Sequence, residues 1–306
     1  MTQAEKYLWL IKTIKDAGSI TLAEISEKWR DNEELSRGEP LPRCTFKRWC
    51  GSISTSYGIF ICCSKKNGYK YYISNPEAFE ENKLRKWMVD SFAIGNIISD
   101  NKSIADRILV EEIPSGLVFL SPLLAAMREG RVIRMAYRSF GGEERTYDIE
   151  PYCVKLHKNR WYLLGRGEDE KLRVYGLDRI VKLEPVERIF RYPDDFDAEE
   201  FFSRFFGVVV GLGVKPCNIV VRAYGRHLYY MRSLPIHPSQ REIKAHIPDD
   251  EDEAYADFQV YVAPSYDFIF HILSMGDMVE VISPENVRRE VAEYVHALAD
   301  MYKDCK

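Results

Sequence analysis

Two neighbouring runs in the second half of this chain decide its fold. They are Arg160-Trp161-Tyr162-Leu163-Leu164-Gly165 and Leu172-Arg173-Val174-Tyr175-Gly176-Leu177-Asp178-Arg179-Ile180. In the second run the polar Arg173 and Tyr175 alternate with apolar residues, which is the period of a strand with one polar and one apolar face. Both runs therefore predict short strands that pack in a sheet.

Further strands surround these two runs, because after Gly130 the apolar period changes from helical to alternating. Glycine-rich turns lie at 141–142 and 165–167. Short strands separated by such turns predict a small, strongly bent barrel of the kind that binds ligands at its rim. The predicted strands cover 132–137, 147–154 with a bend at Pro151, 161–165, 172–177 and 179–183.

Four motifs in this region resemble those of WYL-domain transcription regulators. The resemblance extends over about residues 60–306 and is strongest across 131–183. The motifs are Ala136-Tyr137-Arg138, Glu150-Pro151-Tyr152, Trp161-Tyr162-Leu163 and the run from Arg173 to Ile180.

The resemblance implies an Sm-like, SH3-type barrel with a surface groove that binds a nucleotide or nucleic-acid effector. It assigns Tyr137, His157, Arg173 and Arg179 as effector contacts. An arginine fork suits phosphate, and tyrosine offers a stacking face. The family often has another arginine where this chain has Gly176, which leaves the groove one cation fewer.

Two of these motifs also have a purely structural interpretation. The run Trp161-Tyr162-Leu163 is more typical of barrel core than of ligand contacts. Asp178 beside Arg179 can be a simple ion pair at a strand end, which on a surface contributes only ~0–1 kcal/mol. Both interpretations stay open at the level of the sequence.

The N-terminal segment predicts three helices. Apolar residues at helical spacing run from Tyr7 to Ile14 and stop at Gly18. Thr21 followed by Glu24 forms a capping box that opens a second helix. After a polar loop over 31–40, a third helix is expected from about Pro42 to Tyr57.

A hairpin follows these helices, because two β-rich runs flank Asn67-Gly68, whose conformation suits a tight turn. Three helices and a basic hairpin predict a winged helix-turn-helix that reads double-stranded DNA. The candidate DNA contacts are Arg43, Thr45, Lys47 and Arg48 on the third helix and Lys65, Lys66 and Lys70 on the wing.

The charge distribution supports this assignment. The net charge is -4, yet no Asp or Glu occurs between Pro40 and Asn75, where six cations lie. The acidic residues concentrate at 194–200 and 249–253, which would repel a polyanion. The alternative is that the six cations form an ordinary solvated face.

The rest of the chain predicts a connector, a linker and a C-terminal extension. The connector is helical and amphipathic, and it packs either on a second subunit or on its own chain. The acidic segment Asp194–Gly207 is predicted to be a linker helix whose four phenylalanines must dock. The extension predicts alternating strands and helices of ferredoxin type, with Arg222 and Arg226 as further candidate effector contacts.

No catalytic motif or metal-ligand spacing is present, so we expect neither an enzyme nor a cofactor or metal. The seven cysteines form no CxxC pair and are expected to be reduced and mostly buried. Without a signal peptide or an apolar run of about 18 residues, no membrane association and a cytoplasmic location are expected.

The resulting hypothesis is a homodimeric bacterial transcription regulator, a repressor, whose operator binding responds to a nucleotide or oligonucleotide effector, in a setting such as phage defence. The alternative is an RNA- or single-stranded-DNA-binding accessory module that controls a partner enzyme without operator recognition. The predicted divisions are 1–75 (winged helix-turn-helix), 76–129 (connector), 130–190 (WYL barrel), 191–207 (linker helix) and 208–306 (α+β extension).

Overall fold

The structure is a computed structural model that describes residues 3–66, 68–78, 82–100, 102–109, 111, 113–210, 213–249 and 253–303. These residues form helices and antiparallel sheets in two compact units, Met1–Glu111 and Glu112–Lys306. The predicted multidomain α+β class is therefore confirmed. Asp250, Glu251 and Asp252 of the second acidic run lie outside the described residues.

The first unit contains helices where the sequence predicts them, together with one that it does not. The capping box is confirmed, because Thr21 accepts a hydrogen bond from the Glu24 N–H and Glu24 accepts one from the Thr21 N–H. The short α3 lies in the segment predicted as a loop. The helices are α1 (Gln3–Ala17), α2 (Leu22–Asp31), α3 (Glu33–Ser36), α4 (Arg43–Tyr57) and α5 (Lys83–Asp100).

Tryptophans form the centre of this unit. The ring of Trp29 packs edge-to-face against Trp9 at 5.0 Å and against Trp49 at 5.1 Å, and all three are buried. Edge-to-face aromatic pairs add about 0.5–1.5 kcal/mol beyond the burial of their area. The cluster fixes α1, α2 and α4 against one another, and Val89 places α5 on the same core.

The predicted hairpin is present as β1 (Ile61–Ser64) and β2 (Lys70–Ile73), paired antiparallel. Gly68 has the positive φ of 73° that its turn requires, while Asn67 lies outside the described residues. Tyr71 pairs with Ile20 and packs its ring 4.7 Å from Phe46 of α4. These contacts hold the hairpin beside the first half of α4.

The second unit begins with α6 (Leu117–Glu129), which packs on a five-stranded sheet through Leu123 and Ala126. The sheet order is β6-β5-β4-β3-β7, so the last strand returns to pair with the first. The register between β4 and β5 shifts at Pro151–Cys153, where the sequence predicts a bend. The strands are β3 (Arg131–Arg138), β4 (Glu144–His157), β5 (Arg160–Arg166), β6 (Leu172–Gly176) and β7 (Ile180–Ile189).

The linker segment is less helical than predicted, because only α7 (Ala198–Ser203) is helix. Its phenylalanines dock on their own chain. Phe201 contacts Phe196, Phe202 and Phe205, with centroids 5.3–5.4 Å apart, and Phe206 is buried in the core of the next domain.

A second sheet follows in the order β11-β8-β10-β9, with antiparallel pairs throughout. Its β9 was not predicted: Ile243 and Ala245 alternate with polar residues, but the run is short, and every residue of Arg241–His246 is exposed, so no buried face marks it. The elements are β8 (Cys217–Tyr224), α8 (His227–Ser233), β9 (Arg241–His246), β10 (Tyr255–Val262), α9 (Tyr266–Leu273), β11 (Val279–Ser283) and α10 (Glu285–Met301).

The prediction that the cysteines are mostly buried is wrong. Cys44, Cys62 and Cys63 are exposed, and Cys305 lies outside the described residues. The exposed thiols lie at the start of α4 and on β1, where the outward faces of a short helix and a two-stranded ribbon leave no core to enter. The six described cysteines are free.

Gly116 makes a close approach that admits no side chain. Its φ is +64°, and a β-carbon there would lie 2.3 Å from the carbonyl carbon of Leu177 and 2.5 Å from the nitrogen of Asp178. Both atoms belong to backbone, so neither can rotate away. Gly116 therefore sets how closely the start of α6 meets the turn after β6.

We expect Gly116→Ala to lower the free energy of unfolding by more than the roughly 1–2 kcal/mol that a left-handed residue costs alone, because the clash with Leu177 adds to it. The measurement is urea denaturation of the full chain. Gly141→Ala is the matched control, with φ +67° and nothing within 4 Å. Equal losses in the two variants would contradict the close approach.

Candidate functional sites

The start of α4 presents cations to solvent. Arg43, Lys47 and Arg48 are exposed and Thr45 is half-buried, while Phe46 and Trp49 on the opposite face are buried. The helix begins after Pro42, whose extended backbone leads directly into the basic turn. The sequence therefore separates a core face from a cationic face.

The hairpin adds to this surface. Lys65 and Lys66 are exposed and Lys70 is half-buried. Lys70 has an acidic neighbour, because it contributes, after the hydrogen bonds from Thr21, to lowering the pKa of Glu24. Within the described part of the chain, none of the six cations on α4 and the hairpin forms an ion pair. We call these cations and Thr45 the basic surface.

In the second unit Tyr137 and Arg179 lie together. The guanidinium carbon of Arg179 lies 5.2 Å from the centroid of the Tyr137 ring and 4.5 Å from that of Phe140. Tyr137 is buried, and its hydroxyl accepts a 3.2 Å hydrogen bond from the Gly176 N–H. Burial raises the pKa of Tyr137, so the phenol stays neutral. We call Tyr137, Phe140, Gly176 and Arg179 the arginine site.

Gly176 makes room for the guanidinium. A β-carbon at this position would lie 3.1 Å from Nε and from one terminal nitrogen of Arg179, and 2.7 Å from Asp178 Oδ1. A larger residue would displace Arg179. Asp178 pairs with Arg160 at 3.7 Å, and the alternative left open by the sequence, an Asp178–Arg179 ion pair, is not found among the described residues.

Arg173 lies in a neighbouring cleft of about 640 Å³. It donates two hydrogen bonds, of 2.7 and 2.6 Å, to the carboxylate of Asp169, and this pairing lowers the pKa of Asp169 to about 2. Across the cleft Arg134 forms a similar fork with Asp148. Two cations of this cleft are thus already neutralised by the protein.

Tyr175 lies between the arginine site and the cleft that contains Arg173. Its buried ring lies 5.3 Å from Tyr137 in the arginine site and 6.1 Å from Tyr147, and both Tyr175 and Tyr147 line the cleft. The structure thus brings Tyr137 and Arg179 into contact and places Arg173 one aromatic ring away.

The other predicted effector contacts lie elsewhere. Arg222 is held by Asp257 through hydrogen bonds of 2.7 and 3.0 Å, and its guanidinium covers Tyr255. Arg226 is exposed beside a groove of about 590 Å³ that is also lined by Tyr229 and Tyr230. No described contact joins either arginine to Tyr137, Arg173 or Arg179.

His157 belongs to a junction inside the second unit. Burial first, and then the charges of Lys155 and Lys158, lower its pKa, and burial likewise lowers the pKa of His237 and His271. The Lys155 ammonium donates a 2.7 Å hydrogen bond to the Gly207 carbonyl between the two sheets. No described contact joins His157 to the arginine site.

Two residues of these sites, Phe140 and Asp169, were not identified from the sequence. Phe140 lies in the turn between β3 and β4, and Asp169 lies in the turn between β5 and β6, so neither carries a periodic signal. Among the described residues no cluster of His, Cys, Asp and Glu is arranged to hold a metal ion. Over the same residues, no helix has the length and apolar character needed to span a bilayer.

Two parts of the second unit match known domain families. Residues 118–185 match the WYL domain, and residues 215–299 match the WCX domain. This chain is a WYL-domain protein. The WYL match covers nearly all of α6 and most of the five-stranded sheet, including the arginine site. The WCX match covers all four strands of the second sheet and its helices except the end of α10.

Individual relatives match a smaller part. Protein PafB of Mycobacterium tuberculosis (strain ATCC 25618 / H37Rv) and protein PafB of Mycobacterium bovis (strain ATCC BAA-935 / AF2122/97) are each 40% identical over 63 residues, 20% of this chain. The match spans about a fifth of those relatives' own length, 19%.

Two solved structures also show a likeness. Proteasome accessory factor B/C (PafBC) of Arthrobacter aurescens is 17% identical, with a TM-score of 0.38, over 99% of this chain and 47% of that chain. A CRISPR Cas-related protein is 13% identical, with a TM-score of 0.39, over 62% of this chain and 53% of that chain. At these TM-scores neither superposition constrains the fold or the function of the WYL-domain protein.

The lowered pKa values of the histidines near Lys155 and Lys158 predict that the stability of the folded chain depends on pH. Three histidines, His157, His237 and His271, have a pKa below the ordinary 6.5 in the folded chain, so the unfolded chain binds more protons near and below that pH. We therefore expect the free energy of unfolding to fall as the pH drops from about 7 to about 5, the range in which histidine titrates.

Urea denaturation at a series of pH values checks this. His271→Gln, which removes one of the three, should flatten the dependence, whereas the exposed His246→Gln should leave it unchanged. A wild-type chain that gained stability on acidification over this range would contradict the burial of the three rings.

Proposed function

We propose that this WYL-domain protein is a bacterial transcription regulator that represses its target by binding double-stranded DNA and is released by an anionic, nucleotide-like effector. The observation that carries the proposal is the basic surface, where six cations on one helix and one hairpin have no ion-pair partner among the described residues. Structural surface charges commonly have carboxylates nearby, whereas a surface for a polyanion keeps its cations available.

The proposal includes finer fold assignments. Helices α1, α2 and α4 with the β1–β2 hairpin form a winged helix-turn-helix, and the β6-β5-β4-β3-β7 sheet forms an Sm-like barrel. The order β11-β8-β10-β9, numbered within that domain, is 4-1-3-2, which supports a ferredoxin-type extension. The predicted divisions at residues 75, 129, 190 and 207 stand as part of this proposal.

DNA recognition follows from the basic surface. The N-terminal turn of α4 enters the major groove, so that Arg43, Thr45, Lys47 and Arg48 reach base edges and phosphates. Lys65, Lys66 and Lys70 lie on the hairpin and contact the backbone. Phe46 and Tyr71 hold helix and hairpin in one arrangement, so both contact the duplex together.

Effector binding uses the WYL domain. Arg179 is the best candidate anion contact, because its Nε is buried and has no hydrogen-bond partner among the described residues. A buried donor without a partner costs about 1–3 kcal/mol, and an anionic ligand would supply the partner. Arg173 contributes by exchanging Asp169 for the ligand. His157, Arg222 and Arg226 are secondary contacts in this proposal.

The two activities are coupled in a homodimer. A palindromic operator requires two heads at a fixed spacing, and the effector changes that spacing. By linkage, effector and operator alter each other's affinity by the same factor. This reciprocity is a property of regulators that neither an RNA-binding accessory module nor an enzyme needs to show.

DNA binding is tested by selecting duplexes from a randomised pool with the full chain and measuring affinity by fluorescence anisotropy. We expect Arg43→Ala to weaken binding by ~1–3 kcal/mol and to relax the sequence preference. The triple change of Lys65, Lys66 and Lys70 to Ala should instead reduce the slope of log affinity against log salt by about 0.9 for each phosphate that the protein no longer neutralises.

Lys12→Ala is the matched control, because Lys12 is a surface cation outside the basic surface and pairs with Asp16. It should leave affinity and slope unchanged. Selection of single-stranded DNA or RNA in preference to duplex would favour the accessory-module alternative. Equal loss from Lys12→Ala and Arg43→Ala would show that the binding is not located at α4.

Effector binding is tested with a single-stranded tetranucleotide as probe, by its influence on operator affinity. We expect Arg179→Gln to reduce probe binding at least about 10-fold, because a charge-assisted hydrogen bond contributes about 1.5–3 kcal/mol, while operator affinity without probe is retained. Arg173→Ala should have a smaller effect, since Asp169 already holds that guanidinium. An unchanged response in both variants would reject the site.

A further inference from the structure

Phe140 lies in the turn between β3 and β4 and is unusually exposed for an aromatic residue, at 77%. Its ring is not isolated, because the guanidinium of Arg179 lies 4.5 Å from its centroid. One face of the ring is therefore covered by a cation, and the rest of it meets water. The ring therefore packs on a guanidinium and not in the core.

The two aromatic rings around Arg179 play different parts. Tyr137 is buried, its hydroxyl is fixed by the Gly176 N–H, and its ring packs edge-to-face on Tyr175. It is a fixed support for the guanidinium. Phe140 has no such anchoring contact among the described residues apart from Arg179. It is the part of the arginine site that a ligand can reach directly.

The guanidinium of Arg179 has a hydrogen-bond donor that the described part of the protein does not use. Its Nε lacks a hydrogen-bond partner among the described residues, and none of the carboxylates in the described ranges forms an ion pair with it. Two arginines of the adjacent cleft differ in this respect, because Arg134 and Arg173 are each forked onto a carboxylate. An anion therefore gains more at Arg179 than at either of them.

A cation beside an open aromatic face matches a phosphate joined to a planar base. Bases stack on aromatic side chains because every base has a π-face, and the neighbouring arginine binds the phosphate. Inorganic phosphate would use only the arginine. The geometry thus discriminates between anions with and without a ring system.

We propose that Phe140 stacks on the base of the effector while Arg179 binds its phosphate, so that the WYL domain selects nucleotides over inorganic phosphates. This inference rests on the proposed effector function of the same domain. The ligand chemistry is a phosphorylated nucleoside, whether as a free nucleotide or as part of a single strand. Phe140 is then the specificity-determining residue and Arg179 the anion contact.

Isothermal titration of the full chain tests this with three probes: adenosine monophosphate, a single-stranded tetranucleotide and inorganic pyrophosphate. Phe140→Ala should weaken the probes that carry a base by about 10-fold, the magnitude of one aromatic stack, and leave pyrophosphate within about twofold. Phe140→Tyr should restore base binding, whereas Phe140→Leu, which keeps apolar bulk without a ring, should not.

Arg179→Gln should weaken all three probes. Because Phe140 is exposed, its variants should keep the wild-type thermal midpoint, which circular dichroism checks. Phe140→Ala without effect, or with equal loss for pyrophosphate, would overturn the inference while Arg179→Gln still supports the effector site. Absence of binding by all three probes to the wild-type chain would overturn the effector site itself. Stronger binding of the tetranucleotide than of the monophosphate would identify a strand as the source.

Discussion

The hydrogen bond from the Gly176 N–H to the Tyr137 hydroxyl fixes the turn on which the WYL domain's candidate chemistry depends. This turn, Leu177–Arg179, joins β6 to β7 and meets the start of α6 at Gly116. Leu177 is fully buried, and the guanidinium of Arg179 occupies space that a side chain at position 176 would crowd. The hydrogen bond between Gly176 and Tyr137 thus fixes the backbone that positions the Arg179 guanidinium.

Basic side chains are paired with carboxylates to different extents in the two units. In the second unit several arginines are paired with carboxylates on adjacent strands, as in Arg134–Asp148 and Arg222–Asp257. Such pairs stabilise the sheets only modestly and leave little field outside. In the first unit the cations of α4 and the hairpin have no such pairs in the described chain, so their field extends into solvent. Basic residues therefore link adjacent strands in the second unit, whereas in the first unit they produce a positive field that attracts anions.

Much of this arrangement could be predicted from the sequence where the signal is local. The capping box at Thr21, the hairpin around Gly68 and the bend at Pro151 each depend on neighbours in the chain. Strand β9 was not predicted, since its alternation is limited to Ile243 and Ala245 and none of its residues is buried. The contact of Tyr137 with Arg179 followed from motif positions, whereas the Arg173–Asp169 fork and Phe140 depend on turn geometry that no spacing encodes.

The open edge formed by β9 has a consequence for assembly. Its unpaired side presents backbone amides and carbonyls that a neighbouring molecule could extend into a continuous ribbon. Arg241 and Lys244 place positive charge along this edge, and the register shift between Asp257 and Phe258 interrupts the regular ladder behind it. Positive charge and an irregular ladder at this edge thereby disfavour strand-to-strand aggregation between molecules.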